Sequence, residues 1–151
     1  MLEIAPYDDI ATVRALFLEY AQSLGVDLSF QNFEDEVASL PGDYDPILIG
    51  CWDGEVAGCV AMHPFEERIC EMKRLYVRPS LRGHGIARSL AEALIAIARE
   101  RGFRAMRLDT LPMMRPAMAL YESLGFADIE PYRFNPIAGS RYMELRLSSS
   151  S

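Results

Sequence analysis

Apolar residues recur along the chain with two periods, and the changes between them divide it into elements. Residues 2–5 alternate and predict a short strand. Asp8 or Asp9 then supplies a helix-capping oxygen, and Ile10, Val13, Phe17, Tyr20 and Leu24 fall on one helical face behind it. Phe30, Phe33, Val37 and Leu40 carry that spacing into a second helix, which Pro41 and Gly42 stop. Residues 47–52 and 56–63 read as strands on either side of Asp53-Gly54, a strong hairpin signal. Glu66 and Glu67 turn the chain into a strand over 68–77. Beyond a glycine-containing loop, Ile86, Leu90, Leu94 and Ile97 set out a third helix, and Arg99, Arg101 and Gly102 suit its end. Residues 103–110 predict a strand, Pro116 fits the first turn of a fourth helix that Gly125 closes, and 126–134 with 140–147 predict an antiparallel pair. The sum is an α+β fold whose mixed, mostly antiparallel central sheet is flanked by helices.

Composition bounds this picture. At 151 residues the chain suits a single domain over 1–147, which can bury roughly 70% of its unfolded surface without metal or disulfide staples. Ser148, Ser149, Ser150 and Ser151 form a tail too short to be an element. No uncharged apolar run approaches the ~18 residues of a membrane span, and the N-terminus lacks a basic-then-apolar leader, so no membrane association and no export are expected. Cys51, Cys59 and Cys70 show neither pairing nor zinc-ligand spacing and fall in strand-like runs. Reduced, buried thiols, a cytoplasmic setting and no metal are the expectation.

Charge is unevenly distributed. Residues 1–57 hold twelve acids and one base, Arg14, for −11; residues 58–151 hold fourteen bases and ten acids, for +4; together these give the chain's −7. Lys73, Arg74, Arg78, Arg82 and Arg88 cluster without an intervening acid, which suits a phosphate-bearing ligand. The overall acidity argues against nucleic acid as a partner, and an acidic N-terminal part would attract a cationic amine.

The chemistry centres on Arg82-Gly83-His84-Gly85-Ile86-Ala87-Arg88, between the strand ending at Val77 and the third helix. Glycines there let the backbone approach a ligand, and the first N–H groups of a helix face outward toward an anion. A P-loop needs Lys then Ser or Thr after its last glycine, where this chain has Ile86 and Ala87. A dinucleotide fingerprint would place its third glycine at Arg88 and turn at once from the strand into the glycines, whereas residues 78–82 intervene. What remains, Arg-x-x-Gly-x-Ala after an extended strand, resembles the acetyl-coenzyme A (acetyl-CoA) signature of the GNAT superfamily of N-acetyltransferases. Glu71-Met72-Lys73-Arg74-Leu75-Tyr76-Val77-Arg78-Pro79 is similar to that family's central strand, and Ala117-Met118-Ala119-Leu120-Tyr121-Glu122-Ser123-Leu124-Gly125-Phe126 to its second motif. Met114 stands where the family often has Asn. The likeness is sharpest over 70–126, and the order of elements extends it across the chain.

The resemblance implies a GNAT-like sheet with a glycine-loop pyrophosphate cradle after its central strand. It implies acetyl-CoA as co-substrate, no metal, and acetyl transfer to a primary amine. Leu75, Tyr76 and Val77 would pair with pantetheine, and Arg82, Gly83, His84, Gly85, Ile86, Ala87 and Arg88 would hold the pyrophosphate. Tyr121 matches the tyrosine beside the thioester sulfur, where a phenol of ordinary pKa ~10 can protonate a thiolate; the alternative is a core residue, since Ala117, Leu120, Tyr121 and Leu124 share a face. Glu71 matches a glutamate that serves some members as general base, against a salt bridge to a neighbour such as Arg68. Asp109 is a second carboxylate, able to hold a substrate ammonium. His63 reads as a surface residue, and His84 as a donor of backbone N–H. The acceptor would meet residues 25–30 and 135–140, and the acidic N-terminal part favours a small cationic amine or amino acid over a protein N-terminus or lysine. A non-catalytic acyl-CoA sensor is the reading from another class. The apolar last strands suit either a core or a homodimer interface.

Overall fold

The computed structural model describes residues 1–24, 33–112, 114–133 and 137–147. Its elements run β1 (Leu2–Pro6), α1 (Ile10–Leu24), α2 (Phe33–Ala38), β2 (Ile47–Trp52), β3 (Glu55–Glu66), β4 (Ile69–Val77), a 3-10 turn (Pro79–Leu81), α3 (Ile86–Glu100), β5 (Ala105–Thr110), α4 (Arg115–Ser123), β6 (Ala127–Asp128) and β7 (Arg141–Arg146). One sheet takes the order β1-β2-β3-β4-β5-β7-β6. Every neighbouring pair is antiparallel except β4 with β5, so the expected mixed, mostly antiparallel sheet is found. No described helix is long and apolar enough to cross a membrane.

Side-chain alternation sends the two faces of the sheet into two cores. Val60, Met62, Cys70, Met72 and Met106 pack under Leu90 and Leu94 of α3, with Tyr121 of α4 in the same cluster. Cys59, Ala61 and Tyr76 face the other way, onto Val13, Leu16, Phe17 and Val37 of α1 and α2. Cys59 and Cys70 are buried and Cys51 is partly buried, all three as free thiols. Asp9 is the α1 cap, its Oδ1 accepting the Ala11 N–H at 3.0 Å.

Several boundaries differ from expectation. β3 continues past His63 to Glu66, because the hairpin turns one residue later, with Arg68 at a φ of 63°. β6 is far shorter than 126–134: Pro131 has no N–H to give a ladder, and the Tyr132 and Arg133 side chains turn inward to bond Glu71. The start of the second expected helix at Phe30, the strand end at Phe134, much of the two acceptor loops and the Ser148–Ser151 tail lie outside the described residues.

The charge asymmetry acquires a different meaning in the fold. Glu19 takes Arg78, Glu36 takes Arg74, and Asp45 takes Arg101, at 2.9, 2.8 and 3.3 Å. Acids of the N-terminal part thus neutralise bases of the C-terminal part across the sheet. These three acids are therefore part of an internal pairing pattern and not of a field aimed at an acceptor.

One glycine is fixed by close approach. At Gly58 a Cβ would lie 2.2 Å from the Tyr76 carbonyl oxygen, where β3 crosses the bend in β4. Gly58→Ala is therefore expected to destabilise the fold by about 1–3 kcal/mol through forced separation of the strands. A thermal melt of this variant matching wild type would show that β3 and β4 do not meet in this register.

Candidate active site

The site begins with a defect in the sheet. β4 pairs with β5 only from Ile69–Ala105 to Glu71–Arg107, and the two strands then part. On its other side β4 pairs Lys73 with Ala61 and Tyr76 with Cys59, one residue more than β3 supplies, so β4 bulges. Arg74 sits in that bulge at a φ of 62°, a strained setting for a residue with a Cβ. Its guanidinium makes two 2.8 Å bonds to Glu36 and lies over the rings of Tyr20 and Phe33, which offsets the strain. Leu75, Tyr76 and Val77 emerge from the bulge with the edge toward β5 unpaired by any described strand.

That edge forms one wall of a cleft of about 760 Å³. Arg82, Gly83, Gly85, Ile86, Ala87 and Arg88 form its end, α4 contributes Pro116, Ala117 and Leu120 with its N-cap residue Met114, and Tyr20, Ser23 and Leu24 of α1 lie opposite. Gly85 is the N-cap of α3 at a φ of 74°, and no side chain caps the helix. The N–H groups of the first turn and the positive end of the helix dipole therefore face the cleft. A Cβ on Gly85 would meet nothing within 4 Å, so the space above the turn is open.

All the residues expected around the co-substrate line this cleft except His84. Its ring stacks on Trp52 of the β2–β3 hairpin, 4.5 Å between centroids and 18° from parallel. Arg82 is anchored by its Nε donating to the Val77 carbonyl at 3.0 Å, and Arg88 reaches Ser123 of α4 and Glu92. Lys73, Arg74 and Arg78 are engaged in ion pairs away from the cleft, and of the basic cluster Arg82 and Arg88 line it.

A smaller cavity of about 20 Å³ lies in the gap between β4 and β5 and shares Tyr20, Leu75 and Met114 with the cleft. Tyr121, Asp109 and Lys73 all line it. Tyr121 is 5% exposed, its ring tilted against Phe126 at 5.7 Å, so the core reading holds for the ring while the residue still borders the cavity. Burial above all, then the charges of Tyr20 and Asp109, pushes its phenol up, so it stays protonated across the neutral range. Lys73 Nζ lies 3.8 Å from Asp109 Oδ1, with both side chains buried. Burial pushes the Lys73 ammonium down while Asp109 and Glu71 oppose it.

Glu71 lies behind this group with no exposure and borders neither space. Oε1 accepts from His63 Nε2 at 2.9 Å and from Arg133 Nη2 at 2.6 Å, and Oε2 accepts from the Tyr132 hydroxyl at 2.6 Å. His63 is thus an inward hydrogen-bond partner of Glu71, and Arg133, not Arg68, supplies the ion pair. Burial pushes the Glu71 carboxyl up, but His63, Lys73, Tyr132 and Arg133 outweigh it and hold the group at about 2. A carboxylate so engaged and so weakly basic is poorly suited to the base role that the family resemblance implies.

Because its pKa is depressed in the fold, Glu71 contributes stability that is present above its ordinary value of 4.5 and is lost as pH falls through about 2. The shift corresponds to roughly 3 kcal/mol. Glu71→Gln should melt lower at neutral pH and should lose much less stability than wild type between those two values. Parallel acid unfolding curves for the two proteins would dissociate Glu71 from these partners.

Sequence reasoning counts Lys73 only in the phosphate-suited basic cluster, not at this cavity, and misses Tyr20 and the cluster of Tyr132 and Arg133 as site residues. Tyr20 was legible only as a member of the α1 stripe, and its position one turn from the end of α1 is what carries it to the gap. Tyr132 and Arg133 follow Pro131, the one local sign that the strand stops and its side chains turn elsewhere.

Comparison with known proteins agrees with this architecture. The family model described as Acetyltransferase (GNAT) family matches residues 10–126. An uncharacterized N-acetyltransferase of Schizosaccharomyces pombe is 43% identical over 146 residues, covering 93% of this chain and 90% of the relative. The fold superposes on a Staphylococcus aureus acetyltransferase of the GNAT family with a TM-score of 0.80 at 16% identity, covering 98% of this chain and 100% of that one. It superposes on Salmonella typhimurium yncA, solved with its cofactor acetyl-CoA, with a TM-score of 0.72 at 22% identity over 99% and 96% of the two chains. With the family model spanning most of the chain and a relative this similar over its length, the protein belongs to the GNAT family of acetyltransferases.

Proposed function

We propose that this acetyltransferase moves the acetyl group of acetyl-CoA to the primary amine of a small cationic acceptor or an amino acid. One observation carries the reading: an uncapped helix N-terminus and an unpaired strand edge open into a single cleft, which meets, at Tyr20, Leu75 and Met114, a polar cavity lined by Tyr121 and Asp109. The residues fit the co-substrate. The N–H groups of α3's first turn, with Arg82 and Arg88, suit a pyrophosphate, and the open space over Gly85 is where it would lie. The edge of Leu75, Tyr76 and Val77 suits the amides of pantetheine, as an added strand would. The fold shared with yncA, solved with acetyl-CoA, supports the same ligand here.

Tyr121 borders the cavity as the proton donor to the departing sulfur. Asp109 gives the preference for a cationic acceptor its local basis, since its carboxylate can hold an ammonium in the same cavity. Glu19 and Glu36 do not add to that preference, because they are paired with Arg78 and Arg74. The test is thiol release from acetyl-CoA against a panel of amines, amino acids and acidic analogues. Turnover restricted to anionic acceptors, or to peptides alone, would displace the small cationic amine.

A further inference from the structure

The loop between β4 and α3 is anchored at both ends and sparsely held between them. Arg82 fixes the strand end through the Val77 carbonyl, and at the helix end the Gly85 carbonyl accepts the Ser89 N–H at 3.1 Å. Gly83 and Gly85 both take positive φ, 91° and 74°, and bring no side chain. The N–H groups of Gly83, His84 and Gly85 donate to no partner among the described residues, as a cradle for an anion requires. That freedom has a cost, because a loop ordered only by its ligand spends binding energy on its own ordering. Among the described residues, one contact restrains the apex at Gly83 and His84: the imidazole of His84 stacked on Trp52.

The surroundings of Trp52 make it a firm support. It ends β2 with Leu2 of β1 opposite on one side and Glu55 of β3 on the other, so its backbone is held by two neighbouring strands. Asp53 and Gly54 close the hairpin beyond it, both at positive φ. Leu48 of the same strand packs in the core beneath α3, and at Gly50 a Cβ would lie 3.4 Å from Leu90 and 3.6 Å from Ile86. Alternation carries Trp52 to that face too, where it packs against the core while staying partly exposed. With no side chain at Gly50, the first turn of α3 sits close on β2, and the loop that precedes it reaches the indole. The His84 ring does not line the cleft, so the stack takes no space from a ligand there.

We propose that Trp52 is a positioning residue for the co-substrate: acting through His84, it holds the loop in its open arrangement before acetyl-CoA arrives. This rests on the reading of that loop as the pyrophosphate cradle and extends the cradle to a hairpin outside the cleft. Near-parallel rings attract by dispersion, and a loop already held in one arrangement loses less freedom when the ligand binds. Neither ring borders the cavity of Tyr121 and Asp109, so the influence falls on acetyl-CoA affinity and not on the chemical step. The loop's own sequence carries no sign of this. Any residue but proline at position 84 would offer an N–H, and the ring matters only because the hairpin brings an indole against it. Trp52 is the chain's one tryptophan, so its emission reports on the stack directly.

The test titrates acetyl-CoA by calorimetry into the whole chain as wild type, Trp52→Leu, His84→Ala and the double variant. Leucine keeps apolar bulk against the core and removes the stack. Each single substitution should weaken binding about 5-fold, the scale of one aromatic pair. The double variant should also lose about 5-fold, because both changes delete the same contact. Trp52→Phe, which keeps a ring, should recover most of the affinity. In steady state, with an amine that wild type accepts, Trp52→Leu should raise KM for acetyl-CoA and leave kcat and the amine KM near wild type. Wild-type tryptophan emission should change as acetyl-CoA is added, with the calorimetric midpoint, and His84→Ala should lose most of that change. Losses that multiply to about 25-fold in the double variant would overturn the proposal, as would wild-type affinity in Trp52→Leu. If the leucine variant does not fold, His84→Ala, which alters an exposed side chain, decides alone: wild-type affinity there overturns the proposal. If wild type binds no acetyl-CoA, the cradle reading falls and this proposal with it; undiminished variants beside a wild type that binds overturn this proposal alone.

Discussion

Replacing Tyr121 by phenylalanine is expected to lower kcat about 100-fold and to leave acetyl-CoA affinity near wild type. The ring's packing against Phe126 survives the change, and only the oxygen is lost. Burial holds the phenol protonated, so the donor is present whenever the sulfur departs. The same surroundings penalise a thiolate in the same place, so the upward push on the phenol does not by itself make the transfer unfavourable. An acyl donor whose thiol has a lower pKa should shrink the defect, because a better leaving group needs less help. Rapid-quench kinetics under conditions where chemistry limits turnover would settle it: a wild-type rate in the phenylalanine variant returns Tyr121 to the core and leaves the sulfur to water.

Gly85→Val should weaken acetyl-CoA binding by roughly 100-fold, about 2.7 kcal/mol. Two effects add. The valine places a branched side chain in the open space above the first turn of α3, where a Cβ meets nothing else. It also has to hold a φ of 74°, which costs a β-branched residue about 1–2 kcal/mol and tilts the N–H groups that follow. The fold should survive, since Gly85 contacts no core residue through this position. Calorimetry on a folded Gly85→Val protein showing wild-type affinity would remove the cradle from this loop.

The parts of the site that were legible in the sequence are the contiguous ones. The cradle is local: glycines, a small residue and a helix stripe fall within one short segment, and the structure places them around one cleft as that segment suggests. Asp53-Gly54 likewise specifies its hairpin without outside help, since both residues take positive φ there. The rest depends on crossings between distant segments. Nothing beside Arg74 in the chain marks a positive φ; its bulge is stabilised by Glu36 of α2 and by rings from α1 and α2. Glu71 reads as an available carboxylate until Tyr132 and Arg133 fold back onto it. The surplus of N-terminal acids pointed to a cationic ligand, yet Glu19 and Glu36 turn out to hold Arg78 and Arg74. Composition counts charges but carries no record of which ones meet.

The most direct measurement of the central claim is the stoichiometry of one reaction: free thiol released from acetyl-CoA and acetylated amine formed, followed together in wild type with a cationic amine. The account predicts one amide for each thiol, with both absent when the amine is withheld. Thiol released without amide, or acetyl-CoA bound tightly with neither product appearing for any amine, would contradict it.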